Sequence, residues 1–99
     1  MKIYYVYILK CSDDIFYTGV TNNIERRIKE HNSDYKETSY TYSRRPVQLV
    51  YFEEFQNPND AIRREKQIKG WTRNKKIALI NSSNDLLKEL SKKKLMALL

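Results

Sequence analysis

The 99 residues give room for one domain built round a single modest core. With 19 Lys and Arg against 12 Asp and Glu, the net charge of +7 weighs against an acidic ligand-free surface and favours a polyanionic partner, nucleic acid or an anionic membrane; the plain alternative is a basic protein with no such partner. The single cysteine, Cys11, excludes an internal disulfide and reads as a packing residue at a strand end, and no stretch approaches the ~20 apolar residues of a membrane span. The opening I-Y-Y-V-Y-I-L is broken at Lys10 and lacks a small-residue cleavage site, so it reads as a strand rather than a signal peptide, and a cytoplasmic protein is expected.

Residues 3–10 carry Ile3, Tyr5, Tyr7 and Leu9 on one face and Tyr4, Val6 and Ile8 on the other. Two apolar faces predict a central strand. Ser12-Asp13-Asp14 is turn chemistry, and residues 15–20 should return antiparallel. Gly19 inside that strand predicts a bulge or a close approach to the backbone. Thr21-Asn22-Asn23 offers caps for a helix over about residues 23–32. On that helix Ile24 and Ile28 face inward, while Glu25–Lys29 and Arg26–Glu30 can pair outside. Arg27 and His31 flank the buried stripe, either hydrogen-bonded into the fold or aimed at a ligand between helix and sheet.

Residues 33–46, with Tyr35, Tyr40, Tyr42 and the pair Arg44-Arg45, predict a mobile loop, and residues 47–55 a third strand. Asn57 caps and Pro58 opens a helix over residues 58–69. Ala61, Ile62 and Ile68 mark its apolar arc, with Glu65 at the centre and Arg63, Arg64, Lys66 and Lys69 on the flanks. A carboxylate so placed is costly unless paired or bound to metal, so Glu65 either salt-bridges a neighbouring base or seats a cation. Gly70 ends this helix, and Trp71, read as core rather than a base-stacking platform, leads into another over 72–81. Residues 85–99 read as a lysine-bearing amphipathic helix that folds back, frays or meets a partner. The expected fold is α/β of the α+β kind: a small three-stranded antiparallel sheet flanked by helices, in the order β-β-α-β-α-α over residues 1–82, with a C-terminal helical extension over 83–99.

This order, with Tyr5-Val6-Tyr7 and Tyr17-Thr18-Gly19 as its two triplets, Arg27 and His31 four apart on the first helix, and Glu65 on the second, resembles the GIY-YIG nuclease family. The run R-E-K-Q-I-K-G-W-T-R-N-K-K from Arg64 to Lys76 resembles a small single-domain bacterial branch of endonucleases, and the likeness covers residues 3 to about 80. Tyr5 stands where the first triplet has glycine and Thr18 where the second has isoleucine. Many members carry an asparagine a few turns after the glutamate; neither Asn74 nor Asn81 has that spacing, and the role is not carried over.

The resemblance implies an endonuclease that hydrolyses DNA phosphodiesters, as in DNA repair, with RNA also admissible. Glu65 would hold one Mg²⁺ or Mn²⁺, Arg27 would grip a non-bridging phosphate oxygen, and Tyr17 would orient water or phosphate. Tyr7 would take the water's proton directly or through His31. A phenol that titrates near ~10 needs nearby cations for that, and otherwise His31, near ~6.5, is the better base. Apart from the family, two tyrosines in adjacent strands also suit cross-strand packing. Arg44, Arg45, Arg63, Arg64, Lys69, Arg73, Lys75 and Lys76 form the expected phosphate bed, giving structure-selective or weakly sequence-specific, salt-sensitive binding. The rival reading is a non-catalytic nucleic-acid-binding or adaptor domain on the same fold; a weaker one is membrane-surface association through the basic C-terminal helix. The enzyme reading expects the Glu65 carboxylate to be available to a cation opposite the tyrosines, not locked to a base and turned away.

Overall fold

The computed structural model describes residues 2–33 and 41–82. The expected helix over 85–99, the extension 83–99, and Tyr35 and Tyr40 of the loop lie outside the described residues.

The doubly apolar run becomes β1 (Tyr4–Lys10), and the returning strand β2 (Phe16–Thr21), joined by a tight turn. In that turn Asp14 takes a positive φ of 64°, which a short polar side chain tolerates, and Cys11 N–H donates to the Ile15 carbonyl. β3 (Gln48–Phe55) pairs on the other side of β1, so the sheet order is β2-β1-β3 and all pairings are antiparallel. As expected from its two apolar faces, β1 is central; Val6, Tyr7, Ile8 and Leu9 are each 0% exposed.

The β1–β3 register shifts between Ile8, opposite Tyr51, and Leu9, opposite Leu49. The extra residue, Val50, is a bulge that lets Leu49 and Tyr51 join opposite faces of the sheet. On one face Tyr7, Leu9, Cys11, Val47 and Leu49 pack with Ile24 and Ile28 of α1 (Ile24–Asn32). On the other, Val6, Ile8 and Tyr51 pack with Ala61 and Ile68 of α2 (Pro58–Lys69). Trp71 and, from α3 (Arg73–Ser82), Leu79 and Ile80 pack against the edge of this second cluster.

Both α1 and α2 start on side-chain caps. Asn23 accepts from Arg26 N–H at 3.0 Å, and Asn57 accepts from Asn59 N–H at 2.8 Å with Pro58 in the first turn. Within the stretch expected to be loop, Tyr42–Arg44 form one 3₁₀ turn, closed by Arg44 N–H donating to the Thr41 carbonyl, and the Arg45–Pro46 peptide is cis. The element order is the expected one. The additions are the short turn and the bulge, neither of which has a periodic pattern to announce it.

Candidate functional site

Tyr7 projects from the central strand toward α1 and sits opposite Gly19 of β2. A methyl group on Gly19 would lie 2.4 Å from the Tyr7 hydroxyl and 2.6 Å from its Cζ. The glycine therefore admits the phenol ring across the β2 backbone; the β1–β2 register runs unbroken past it, so no bulge is present there. Tyr17, two residues earlier on β2, lies on the same face, its ring centroid 6.3 Å from that of Tyr7.

α1 brings His31 over both rings. Its Nε2 lies 2.9 Å from the Tyr7 hydroxyl, and its ring stands edge-on to Tyr17 with centroids 4.8 Å apart. The second ring nitrogen, Nδ1, meets the Thr41 hydroxyl at 2.9 Å. Arg27, one turn earlier, is half-buried and donates to Glu30 at 3.0 Å, with its guanidinium also in reach of Tyr7. Glu30 is thus shared: Arg26, its expected partner, approaches only to 3.9 Å. Arg27 is consequently engaged on the helix itself and not left over.

Burial sets the proton affinities here. Desolvation, helped by neighbouring Tyr17, pushes Tyr7 up to about 12, against the donors and charge of Arg27. Burial first, and the Arg27 charge second, push His31 down to about 4, with Glu30 opposing. Desolvation also works against Arg27, but the neighbouring Tyr7 hydroxyl and the Glu30 carboxylate, to which it donates, more than offset it and keep it charged. Arg27 alone does not make Tyr7 a phenolate: the phenol keeps its proton near neutrality, hydrogen-bonded to the neutral imidazole.

Glu65 belongs to another layer. It is 8% exposed between Ala61 and Ile68 on the inner side of α2, the helix that packs on the face of the sheet opposite to Tyr7 and His31. Its carboxylate pairs with Lys69 at 2.5 Å, the salt-bridge alternative weighed from the sequence; the lysine side chain remains 55% exposed. The structure thus gathers Tyr7, Tyr17, Arg27 and His31 directly, but it carries Glu65 on the other face of the sheet and paired with Lys69, so the expected placement of a cation-ready carboxylate opposite the tyrosines is not met.

The basic residues divide by how far they are engaged. Arg64 donates to both Glu53 oxygens, at 3.0 and 2.9 Å, and to Gln67, with its guanidinium over the Trp71 ring. Tyr51 donates a further hydrogen bond to Glu53, so this network ties α2 to β3. Arg44 pairs with Asp13, Arg45 donates to the Tyr42 carbonyl and covers the Tyr42 ring, and Arg73 reaches the Asp14 carbonyl across Phe16. Lys75 lies over Trp71, Lys76 is half-buried, and Arg63 is 78% exposed beside Asp60. Asn32, Tyr42, Ser43, Arg45 and Pro46 line an open depression of about 580 Å³ beyond the C-terminal end of α1. Two participants, Thr41 and Glu53, were not singled out from the sequence. The signal for them was indirect: an inward histidine needs a partner at each ring nitrogen, and a half-buried arginine needs a carboxylate.

A family model described as the GIY-YIG catalytic domain matches residues 3–78. A UPF0213 protein of Clostridium perfringens is 55% identical over 80 residues, 81% of this chain and 85% of that one. One of Haloquadratum walsbyi is 47% identical over 83 residues, 84% of this chain and 92% of its own. Among solved structures, the solution structure of a UPF0213 protein from Bacillus halodurans is similar at a TM-score of 0.58 and 36% identity, covering 93% of this chain and 97% of that one. A second solution structure, of a protein from E. faecalis, gives 0.57 and 34% identity over 83% of this chain and 86% of its own. The same triplets, arginine, histidine and glutamate that the fold places round β1 and β2 lie inside the matched span, and the chain belongs to the GIY-YIG family, a family of nucleases, alongside its UPF0213 members.

Proposed function

We propose that this protein is a divalent-metal-dependent endonuclease that hydrolyses phosphodiester bonds in DNA, selective for structure more than for sequence. The observation that carries the reading is the Tyr7–His31 hydrogen bond at 2.9 Å, with Arg27 and Tyr17 beside it, inside an otherwise apolar layer. Packing alone would be served by phenylalanine and leucine, without the cost of burying the Tyr7 hydroxyl and the His31 imidazole.

The donor set suits a hard cation that keeps its own water. Among the described residues no group of three or more His, Cys, Asp or Glu gathers, so a closed zinc-type site is not built there. Glu65, nearly buried and paired among the described residues with the half-exposed Lys69, is the carboxylate that would hold Mg²⁺ or Mn²⁺. Such a cation supplies charge relief to the phosphoryl group and to the departing 3′-oxygen. β2 is an edge strand, with Tyr17 on one face and α2 packed on the other, so a strand of DNA laid along that edge can meet both layers.

The chain's own residues do the rest. Arg27, always charged, holds a non-bridging oxygen with its planar fork. Tyr17 orients the water or the phosphate. Tyr7, protonated in the free protein, accepts the water's proton as its own passes to His31, which is neutral and 2.9 Å away; with its affinity lowered to about 4 the imidazole is a weak base and holds that proton only transiently. The two bases considered from the sequence thereby act as a pair.

The Glu65–Lys69 ion pair favours a second reading, a non-catalytic nucleic-acid-binding module in which that carboxylate is structural. One experiment separates the two. Labelled duplex, nicked, branched and single-stranded DNA, with an RNA control, is incubated with and without Mg²⁺ or Mn²⁺, using wild type and Glu65→Gln. The nuclease reading expects metal-dependent cleavage that falls at least about 10²-fold in the variant, the scale of losing one transition-state stabiliser. Retained binding with no cutting of any form by wild type gives the binding module.

A further inference from the structure

Thr41 is 0% exposed, and its side-chain oxygen lies 2.9 Å from Nδ1 of His31. Its backbone is fixed as well, since its carbonyl accepts from Arg44 N–H at 3.0 Å at the head of the 3₁₀ turn. The contact therefore joins a fully buried hydroxyl, ten residues further along the chain, to the ring nitrogen that faces away from Tyr7.

A neutral imidazole has one N–H donor and one lone-pair acceptor, and which nitrogen has which is set by the partners. The Tyr7 oxygen faces Arg27, whose guanidinium can only donate. The guanidinium charge draws the lone pairs of that oxygen, and the phenol's proton is directed at the ring nitrogen within hydrogen-bond distance, Nε2 at 2.9 Å. Nε2 is then the acceptor, Nδ1 carries the hydrogen, and the Thr41 oxygen receives it. The two bonds of the imidazole run in one direction, Tyr7 to His31 to Thr41.

We propose that Thr41 is a positioning residue that holds His31 in the tautomer protonated at Nδ1, keeping the Nε2 lone pair open to the Tyr7 proton. The opposite tautomer would point an N–H at Tyr7 and take away the acceptor at Nε2. In the hydrolytic step the water O–H breaks as a bond to the Tyr7 oxygen forms, the original Tyr7 O–H breaks as Nε2–H forms, and the resulting imidazolium keeps Nδ1–H on Thr41. The hydroxide adds to phosphorus, the 3′-oxygen leaves and takes a proton from solvent, and the imidazolium returns its proton to solvent. This catalytic part rests on the nuclease reading; the tautomer itself does not.

The chain has a single histidine, so ¹⁵N-labelled protein gives one pair of imidazole nitrogens, assigned by their couplings to the ring protons. Wild type is expected to show Nδ1–H as the dominant form between pH 6 and 8. Thr41→Ser keeps it, and Thr41→Val, which retains the shape and removes the hydroxyl, moves it toward Nε2–H, the form an unconstrained imidazole prefers. In the cleavage assay Thr41→Val loses about 10–100-fold in kcat with KM unchanged, the scale of removing a partner that orients a catalytic group, and Thr41→Ser recovers most of it. A wild-type spectrum dominated by Nε2–H overturns the proposal without any variant, as does Thr41→Val that folds and still shows Nδ1–H. If wild type cuts nothing while the tautomer shifts as stated, it is the nuclease reading that has failed.

Discussion

His31 can gain a proton only where water scarcely reaches, 6% exposed between Tyr7, Tyr17 and Thr41. Its affinity, lowered by burial and then by Arg27 from 6.5 to about 4, links folding to pH. Between those two values the unfolded chain binds the proton and the folded chain does not, so acid favours unfolding. The contribution is fully present above about pH 6.5 and is lost as the pH falls toward 4; at ~1.4 kcal/mol per pKa unit this amounts to roughly 3 kcal/mol. Urea unfolding of wild type and His31→Asn at pH 7.5 and 4.5 isolates the effect, because all other titrating groups are common to both. Wild type is expected to lose roughly 2–3 kcal/mol more than the variant over that interval. Equal losses would mean that the imidazole is not held neutral.

One small residue decides whether β2 can carry this arrangement. The Tyr7 ring lies across Gly19, with 2.4 Å from hydroxyl to an added methyl, and the ring is itself 0% exposed and cannot swing into solvent. Gly19→Ala must displace β2 or drive Tyr7 from its rotamer, an overpacking cost of about 1–3 kcal/mol. The predicted result is a urea midpoint lowered accordingly and a changed His31 Nε2 shift as the bond to Tyr7 opens; a variant as stable as wild type with an unchanged imidazole spectrum would refute the close packing. Gly19 could be noticed in the sequence because a glycine inside an apolar strand needs a reason. The strands and helices could be read for a similar cause, since period-2 and period-3.6 patterns and their caps are local. Glu65 stood out as the acid on an apolar arc, although the pattern could not choose between Lys69 and a cation. The partnerships of Thr41 with His31 and of Glu53 with Arg64 left no such trace. Each joins residues ten or more apart in the chain, and each depends on where the fold sets two polar groups down. The Val50 bulge is equally silent, because one skipped residue changes register without changing composition.

The +7 charge of the whole molecule is unevenly available to a polyanion. Arg63, 78% exposed, presents its head to solvent beside Asp60, whereas Arg64, only 25% exposed, is forked onto Glu53 and stacked on Trp71. Binding led by phosphate contacts weakens with salt by about 0.9 logarithmic units per contact on duplex DNA. Three to five phosphate contacts then predict that raising salt from 50 to 200 mM weakens duplex binding by about 40–500-fold. The same division separates two neighbouring arginines. Arg63→Ala should lower the salt slope by about 1 and leave the melting temperature unchanged, being a solvated contact whose local pair with Asp60 is worth little. Arg64→Ala should do the reverse, lowering stability by about 2–4 kcal/mol because Glu53 and Tyr51 lose the charge that balances them, with little change in slope. Fluorescence anisotropy across a salt series, paired with thermal unfolding of the two variants, reads both effects. A flat salt dependence, or Arg64→Ala acting on the slope as Arg63→Ala does, would show that the charge excess is not the handle by which this domain holds nucleic acid.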